Sequence, residues 1–204
     1  MTAEEKQREL QGIAEEVRNL EESPLYEYRQ ENDFSAVPGE GDPDAEIMFI
    51  GEAPGKQEAQ SGRPFVGSAG RVLDGLLESI GLGRERVFIT NIVKDRPPQN
   101  RDPHKDEIEL YAPFLERQIE IIQPAVIATL GRFAMEYILE RLNVPGVEGK
   151  KISEIHGQIF HGEAPCGEVA VVPLYHPAAG FYNTDVKNAL EEDIKVLKQF
   201  VDGR

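Results

Sequence analysis

A carboxylate, an amide and an imidazole each stand in or beside an apolar run in this chain. Glu52 follows "EIMFIG" and precedes Ala53 and Pro54 in a turn; Asn91 sits within "RVFITNIV"; His176 lies near the end of "GEVAVVPLYHP". A carboxylate held in a strand-to-helix turn can position or deprotonate water, and it can equally be a solvated or capping glutamate. A buried amide needs hydrogen-bond partners, so Asn91 either satisfies backbone or reads a ligand. His176 is either structural or catalytic, and the following Pro177 restricts its backbone. Phe65, in "GRPFVG", is either a stacking platform for a base or core.

The stretch "GEAPGKQEAQSGRPFVGSAG", residues 51–70, places five glycines between an apolar run and a helical pattern. It lacks the Gly-Lys-Ser/Thr ending of a nucleotidase loop and the spacing of a dinucleotide fingerprint. Backbone N–H groups at the helix start that follows would favour an anion. No pair of histidines has metal-ligand spacing. Cys166 is the only cysteine, which excludes an intrachain disulfide and a multi-cysteine metal site.

The elements that must position these residues follow from periodicity. Thr2 and Glu5 form a capping box ahead of a helix over 3–20. Residues 35–45 read as a loop. Strands are predicted at 46–51, 86–93, 124–131 and 167–177. Helices are predicted at 70–81, from Ile108 to Ile122, at 132–142, and as a closing stripe from Val186 to Val201. Alternating strands and helices predict an α/β fold: a three-layer α/β/α sandwich around a central, mainly parallel four-stranded sheet. No internal repeat or linker divides the chain, so 1–204 reads as one domain. In such a sheet, loops leaving the carboxyl ends of strands line one crevice. "GEAPG", "NIVKDRPPQNR" and "YHPAAG" all leave strands this way.

With 22 Lys and Arg against 37 Asp and Glu, the net charge is −15. That disfavours indiscriminate nucleic-acid binding while leaving room for a local basic face at Lys94, Arg96, Arg101 and Lys105; the same residues also read as an ordinary solvated loop. No apolar run is long enough to span a membrane. The start, "MTAEEKQREL", has no secretory pattern. A soluble, cytoplasmic, monomeric protein is expected.

Together, "GEAPG…GRPFVGSAG", "TNIVKDRPPQNRDP" and "YHPAAGFYN" resemble the family 4 uracil-DNA glycosylases, with "PFLERQIEIIQPAVIATLG" adding to the likeness from about residue 16 onward. The resemblance implies hydrolysis of the N-glycosidic bond of deoxyuridine, in single- or double-stranded DNA, to give free uracil and an abasic site. It implies that Glu52 positions or activates water and that His176 stabilises charge on the departing base. Ala53 would contact the uracil carbonyl through its backbone, Phe65 would stack on the base, Asn91 would read its Watson–Crick edge, and Glu58 would close the pocket against a methyl group. Gly55, Gly67, Ser68, Arg96, Asn100, Arg101, Pro177 and Ala178 would contact DNA. A related subgroup traps DNA covalently through a histidine at the place of Asn100; here hydrolysis with release is expected. Two other readings are a non-catalytic DNA-binding or repair scaffold of the same fold, and a glycosylase that also accepts hypoxanthine or xanthine.

The family usually binds an iron–sulfur cluster through four cysteines. The corresponding positions here are Leu20, Ser23, Asp95 and Tyr111. A cluster needs thiolates, so neither cluster nor other metal is expected. Packing of Leu20 and Tyr111, and a hydrogen bond between Ser23 and Asp95, are predicted to tie the N-terminal helix to the loop at 95 and the helix at 111.

Overall fold

The computed structural model describes residues 1–201. The strands are β1 Glu40–Gly41, β2 Ile47–Gly51, β3 Phe88–Asn91, β4 Val126–Leu130, β5 Phe160–Ala164 and β6 Gly167–Leu174. Among the described residues they form one six-stranded sheet, ordered β1-β3-β2-β4-β6-β5. β3, β2, β4 and β6 are parallel; β1 and β5 add antiparallel edges.

The expected four-stranded sheet is therefore the parallel centre of a larger one. The added strands carry little apolar signal. β1 has two residues inside the expected loop, and in β5 only Gly162 is buried. The central strands β2, β3 and β4 are buried at every position, as strands covered on both faces must be.

The helices are α1 Ala3–Arg18, α2 Tyr26–Glu31, α3 Lys56–Ser61, α4 Ser68–Ser79, α5 Lys105–Ile122, α6 Arg132–Arg141, α7 Ile152–Ile155 and α8 Thr184–Asp193. The Thr2–Glu5 capping box forms as expected. The closing helix is shorter than its stripe, because the chain tightens to a 3-10 helix over Ile194–Phe200.

Alternation along the strands builds two cores. Met48, Ile50, Ile127 and Val171 pack with residues of α1, α5 and α6. Ile47, Phe49, Ala128 and Val172 pack with residues of α4 and α8. This is the three-layer α/β/α arrangement.

From β2 the chain steps to β3 on one side, then to β4 on the other side of β2. Such a reversal opens a crevice beyond the carboxyl ends of the strands.

Candidate active site

A cavity of about 170 Å³ opens at this crevice. That is smaller than the roughly 300–1,000 Å³ of pockets for drug-sized ligands, and suits a single ring. Its lining includes Glu52 and Ala53 after β2, Phe65, Asn91 at the end of β3, Pro97, Asn100 and Arg101 from the next loop, and His176 after β6.

The turn carrying Glu52 is sewn to β3. Ile92 N–H donates to Gly51 C=O at 3.0 Å, and Val93 N–H to Glu52 C=O at 3.1 Å. The Glu52 side chain is half-buried. Burial raises its carboxyl pKa above the ordinary value; nearby Asp102 adds to the rise and Arg132 offsets part of it. A carboxylate shifted this way is a stronger proton acceptor than a free one.

Phe65 has a left-handed φ of 47°. Three contacts hold it there. Arg84 Nη1 donates to Phe65 C=O at 3.0 Å, and Arg84 Nη2 donates to Pro64 C=O. Gly70 passes so close that a Cβ there would lie 1.8 Å from the Phe65 oxygen. The ring lies over Gly51, where a Cβ would meet it at 2.7 Å and would meet Asn91 Oδ1 at 2.4 Å. Glycine at 51 thus lets the aromatic face and the amide approach the same spot.

Asn91 is 1% exposed, and its Oδ1 is buried with no hydrogen-bond partner. An acceptor left bare in this way costs about 1–3 kcal/mol. Beneath it, Lys94 is 0% exposed. Lys94 Nζ donates to Asn91 C=O at 2.8 Å, Thr90 Oγ1 at 2.6 Å and Gln118 Oε1 at 2.7 Å. Burial holds its amine well below the usual lysine range.

His176 Nδ1 accepts from Ala178 N–H at 3.1 Å, in the 3-10 turn Pro177–Phe181. That bond assigns the neutral ring's proton to Nε2. Burial lowers the His176 pKa, and the Glu58 charge pulls the other way. The neutral imidazole is therefore a donor at ordinary pH. Glu58 Oε1 accepts from Val66 N–H at 3.0 Å and Gly67 N–H at 2.8 Å, which fixes its carboxylate at the cavity edge.

Residues 38–198 match the sequence model of the Uracil DNA glycosylase superfamily. The chain belongs to that superfamily. It is 46% identical over 191 residues to a type-4 uracil-DNA glycosylase of Sulfurisphaera tokodaii, covering 93% of this chain and 84% of that protein. Against the type-4 enzyme of Archaeoglobus fulgidus it is 42% identical over 188 residues, with 92% and 91% covered. The type-4 enzyme of Thermotoga maritima is 36% identical over 193 residues, with 93% of each chain covered.

In this superfamily member, the expected residues Glu52, Ala53, Gly55, Glu58, Phe65, Asn91, Asn100, Arg101 and His176 line one cavity; Gly67, Ser68, Arg96, Pro177 and Ala178 do not. Gly67 and Ser68 start α4, and Ala178 orients His176. Of the two readings of Lys94, Arg96 and Arg101, a basic face or an ordinary loop, neither describes them fully. Lys94 is buried, and Arg101 pairs with Glu107 at 2.6 Å. Arg96 lies over the Phe34 ring and donates to Asn100 Oδ1 at 2.8 Å. Sequence reasoning missed Arg84 and the role of Lys94, since an isolated cation carries no local sign of being buried.

The iron–sulfur positions do not fit a cluster. Leu20 has no donor. Tyr111 O–H donates to Asp95 Oδ2 at 2.5 Å and lies 2.8 Å from Ser23 Oγ. Burial, then the Asp95 charge, pushes the phenol far above its ordinary range, so it keeps its proton. Ser23 and Asp95 are thus joined through Tyr111, not directly as expected. Cys166 lies on the turn between β5 and β6. Among the described residues, no group of three or more His, Cys, Asp or Glu could hold a metal ion. None of their helices is long and apolar enough to cross a membrane.

Proposed function

We propose that this chain is a DNA-repair glycosylase that hydrolyses the N-glycosidic bond of deoxyuridine, releasing free uracil and leaving an abasic site. It acts on single- or double-stranded DNA as a cytoplasmic monomer, with 1–204 as one domain and no iron–sulfur cluster. The family relationship supports the reaction class. The observation that carries the reading is the convergence of Glu52, Asn91 and His176, from three strand ends, on one cavity of single-ring size.

The target base leaves the stack at a cost of roughly a few kcal/mol, and stacking on Phe65 offsets about 1–3 kcal/mol of it. Asn91 Oδ1 accepts the uracil N3–H and its Nδ2 donates to O4; cytosine inverts both partners. Glu52 takes a proton from water as the water oxygen bonds to C1′. The C1′–N1 bond breaks and its electron pair leaves with the base. His176 Nε2–H donates to O2 of the departing anion, which takes up a proton on release. Glu58 borders the C5 side. Gly55, Gly67, Ser68, Arg96, Asn100, Arg101, Pro177 and Ala178 border the bound strand.

The test is incubation with oligonucleotides carrying uracil, hypoxanthine or xanthine, followed by alkaline cleavage. Cleavage at uracil is expected. Equal cleavage at the purines would widen the substrate range, and binding without any cleavage would leave a scaffold.

A further inference from the structure

Beside the cavity wall lies a buried polar junction to which the proposed chemistry assigns no part. Asp95 is 1% exposed, Arg29 3%, Tyr111 0% and Ser23 5%. Arg29 Nη1 donates to Asp95 Oδ1 at 3.2 Å and Oδ2 at 3.1 Å. The same guanidinium caps the end of α1, donating to Val17 C=O at 3.3 Å and Arg18 C=O at 2.9 Å, and it lies 5.0 Å from the centre of the Tyr26 ring. Tyr111 brings in α5, and Ser23, whose Oγ accepts Leu25 N–H at 3.1 Å, brings in the turn after α1. One carboxylate thus gathers α1, α2, the turn at 23–25 and α5.

Asp95 also begins the segment that walls the cavity. Arg96, next in the chain, packs over Phe34, donates to Tyr28 Oη at 3.2 Å and reaches Asn100 Oδ1. Gln99 and Asn100 hold left-handed φ values of 57° and 53°, a costly conformation that persists only when its surroundings over-determine it. Pro97, Asn100 and Arg101 then face the cavity. On the other side of Asp95, Lys94 clamps Asn91. The segment is therefore tethered at its start by two consecutive buried side chains, Lys94 and Asp95.

We propose that Arg29, Asp95 and Tyr111 are positioning residues that set the cavity wall at 96–101, tying by an ion pair and a phenol the elements that four cysteines on a cluster would join in the resembled family. None of the junction's four side chains has a fully buried polar atom without a partner, so removing one group loosens the wall without touching Glu52, Asn91 or His176. The kinetic arm of the test rests on the uracil-excising reading; the exchange arm does not.

Tyr111→Phe keeps the ring and removes the hydroxyl. Amide exchange at Asn100 and Arg101, whose N–H groups donate to Pro97 C=O and Pro98 C=O, should speed up by about tenfold, with β4 as slow as in the parent chain. KM for a uracil-containing oligonucleotide should rise about three- to tenfold, with the smaller part of the loss in kcat. Asp95→Asn should give the same pattern more strongly; if it does not fold, Tyr111→Phe decides. A Tyr111→Phe protein that melts earlier but keeps parental loop exchange and KM would show a purely structural junction and overturn the proposal. Should the parent chain not excise uracil, the functional reading fails while loop exchange still decides this one. Protein made anaerobically with iron and sulfide supplied should contain no more iron than a buffer blank; stoichiometric iron with visible absorption would overturn the assignment.

Discussion

The cavity and the junction around Asp95 are built from the same kinds of group, yet they treat them in opposite ways. In the junction no fully buried side-chain polar atom lacks a partner: Asp95 takes Tyr111 and Arg29, and Arg29 also caps α1. In the cavity, Asn91 Oδ1 is buried with nothing to accept, and Glu52 carries a raised pKa with no ion pair to lower it fully. Saturation stabilises a fold; bare groups wait for a ligand. Burial alone does not separate the two roles, since Asn91 and Asp95 are each 1% exposed. Partner accounting separates this pair only together with position, because Thr129 Oγ1 and Tyr137 Oη are also buried without partners and do not line the cavity.

The sharpest way to break this contrast is to truncate on the cavity side. Glu52→Gln and His176→Gln should each lower the single-turnover rate on uracil-containing DNA by about 10²–10³. Their thermal midpoints should stay near the parent's, because neither side chain closes a buried ion pair. A drop in stability equal to the junction variants' would erase the distinction. The mirror experiment is Asp95→Ala, which leaves Arg29 buried without its counter-charge and should cost about 3–5 kcal/mol in urea unfolding. The residual enzyme should still cleave once substrate is saturating.

These two regions were also unequally legible. Glu52, Asn91 and His176 advertise themselves because each follows or sits in an apolar run, and strand ends of an α/β sheet share a crevice. Arg29 has no such setting: on a six-residue helix it looks solvated, and its charge partner Asp95 lies 66 positions away. Lys94 misled more actively. Beside Arg96 and Arg101 it reads as part of a basic face, but Gln118 on α5 and Thr90 on β3 draw it inside. Tyr111 makes the expected apolar contact in the core, and its hydroxyl adds a link between Ser23 and Asp95 that no local pattern announces. The four parallel strands were readable from apolar runs, whereas β5, "FHGEA", has its pairing set by β6 and no alternation of its own.

Acidity should divide the regions next. Glu52 must be deprotonated to accept a proton from water. Because burial raises its pKa, kcat/KM should fall on acidification at a pH above the ordinary glutamate value of 4.5. In Glu52→Gln that limb should vanish. Lys94 gives the opposite signature in alkali, and in stability. Its folded pKa is depressed, so between that value and the ordinary 10.5 the unfolded chain binds more protons than the folded one. Stability should therefore rise with pH through that window. Urea midpoints across alkaline pH, flattened in Lys94→Met, check this.

The smallest expected effect lies on the cavity's aromatic wall, where the two regions' rules meet. Arg84, like Arg29, is bonded through both Nη atoms, here to Phe65 C=O, Pro64 C=O, Asp74 and Glu40, yet what it holds is the ring facing the ligand. Arg84→Lys keeps the charge but cannot fork to both carbonyls. It should weaken product inhibition by free uracil about three- to tenfold, as a left-handed Phe65 loses its brace. Arg63→Gln is the control, because Arg63 pairs with the same Glu40 at 2.8 Å but touches neither carbonyl. If both variants shift the uracil inhibition constant equally, the ion-pair network as a whole orients Phe65, and the two carbonyl bonds have no separate part in shaping the cavity.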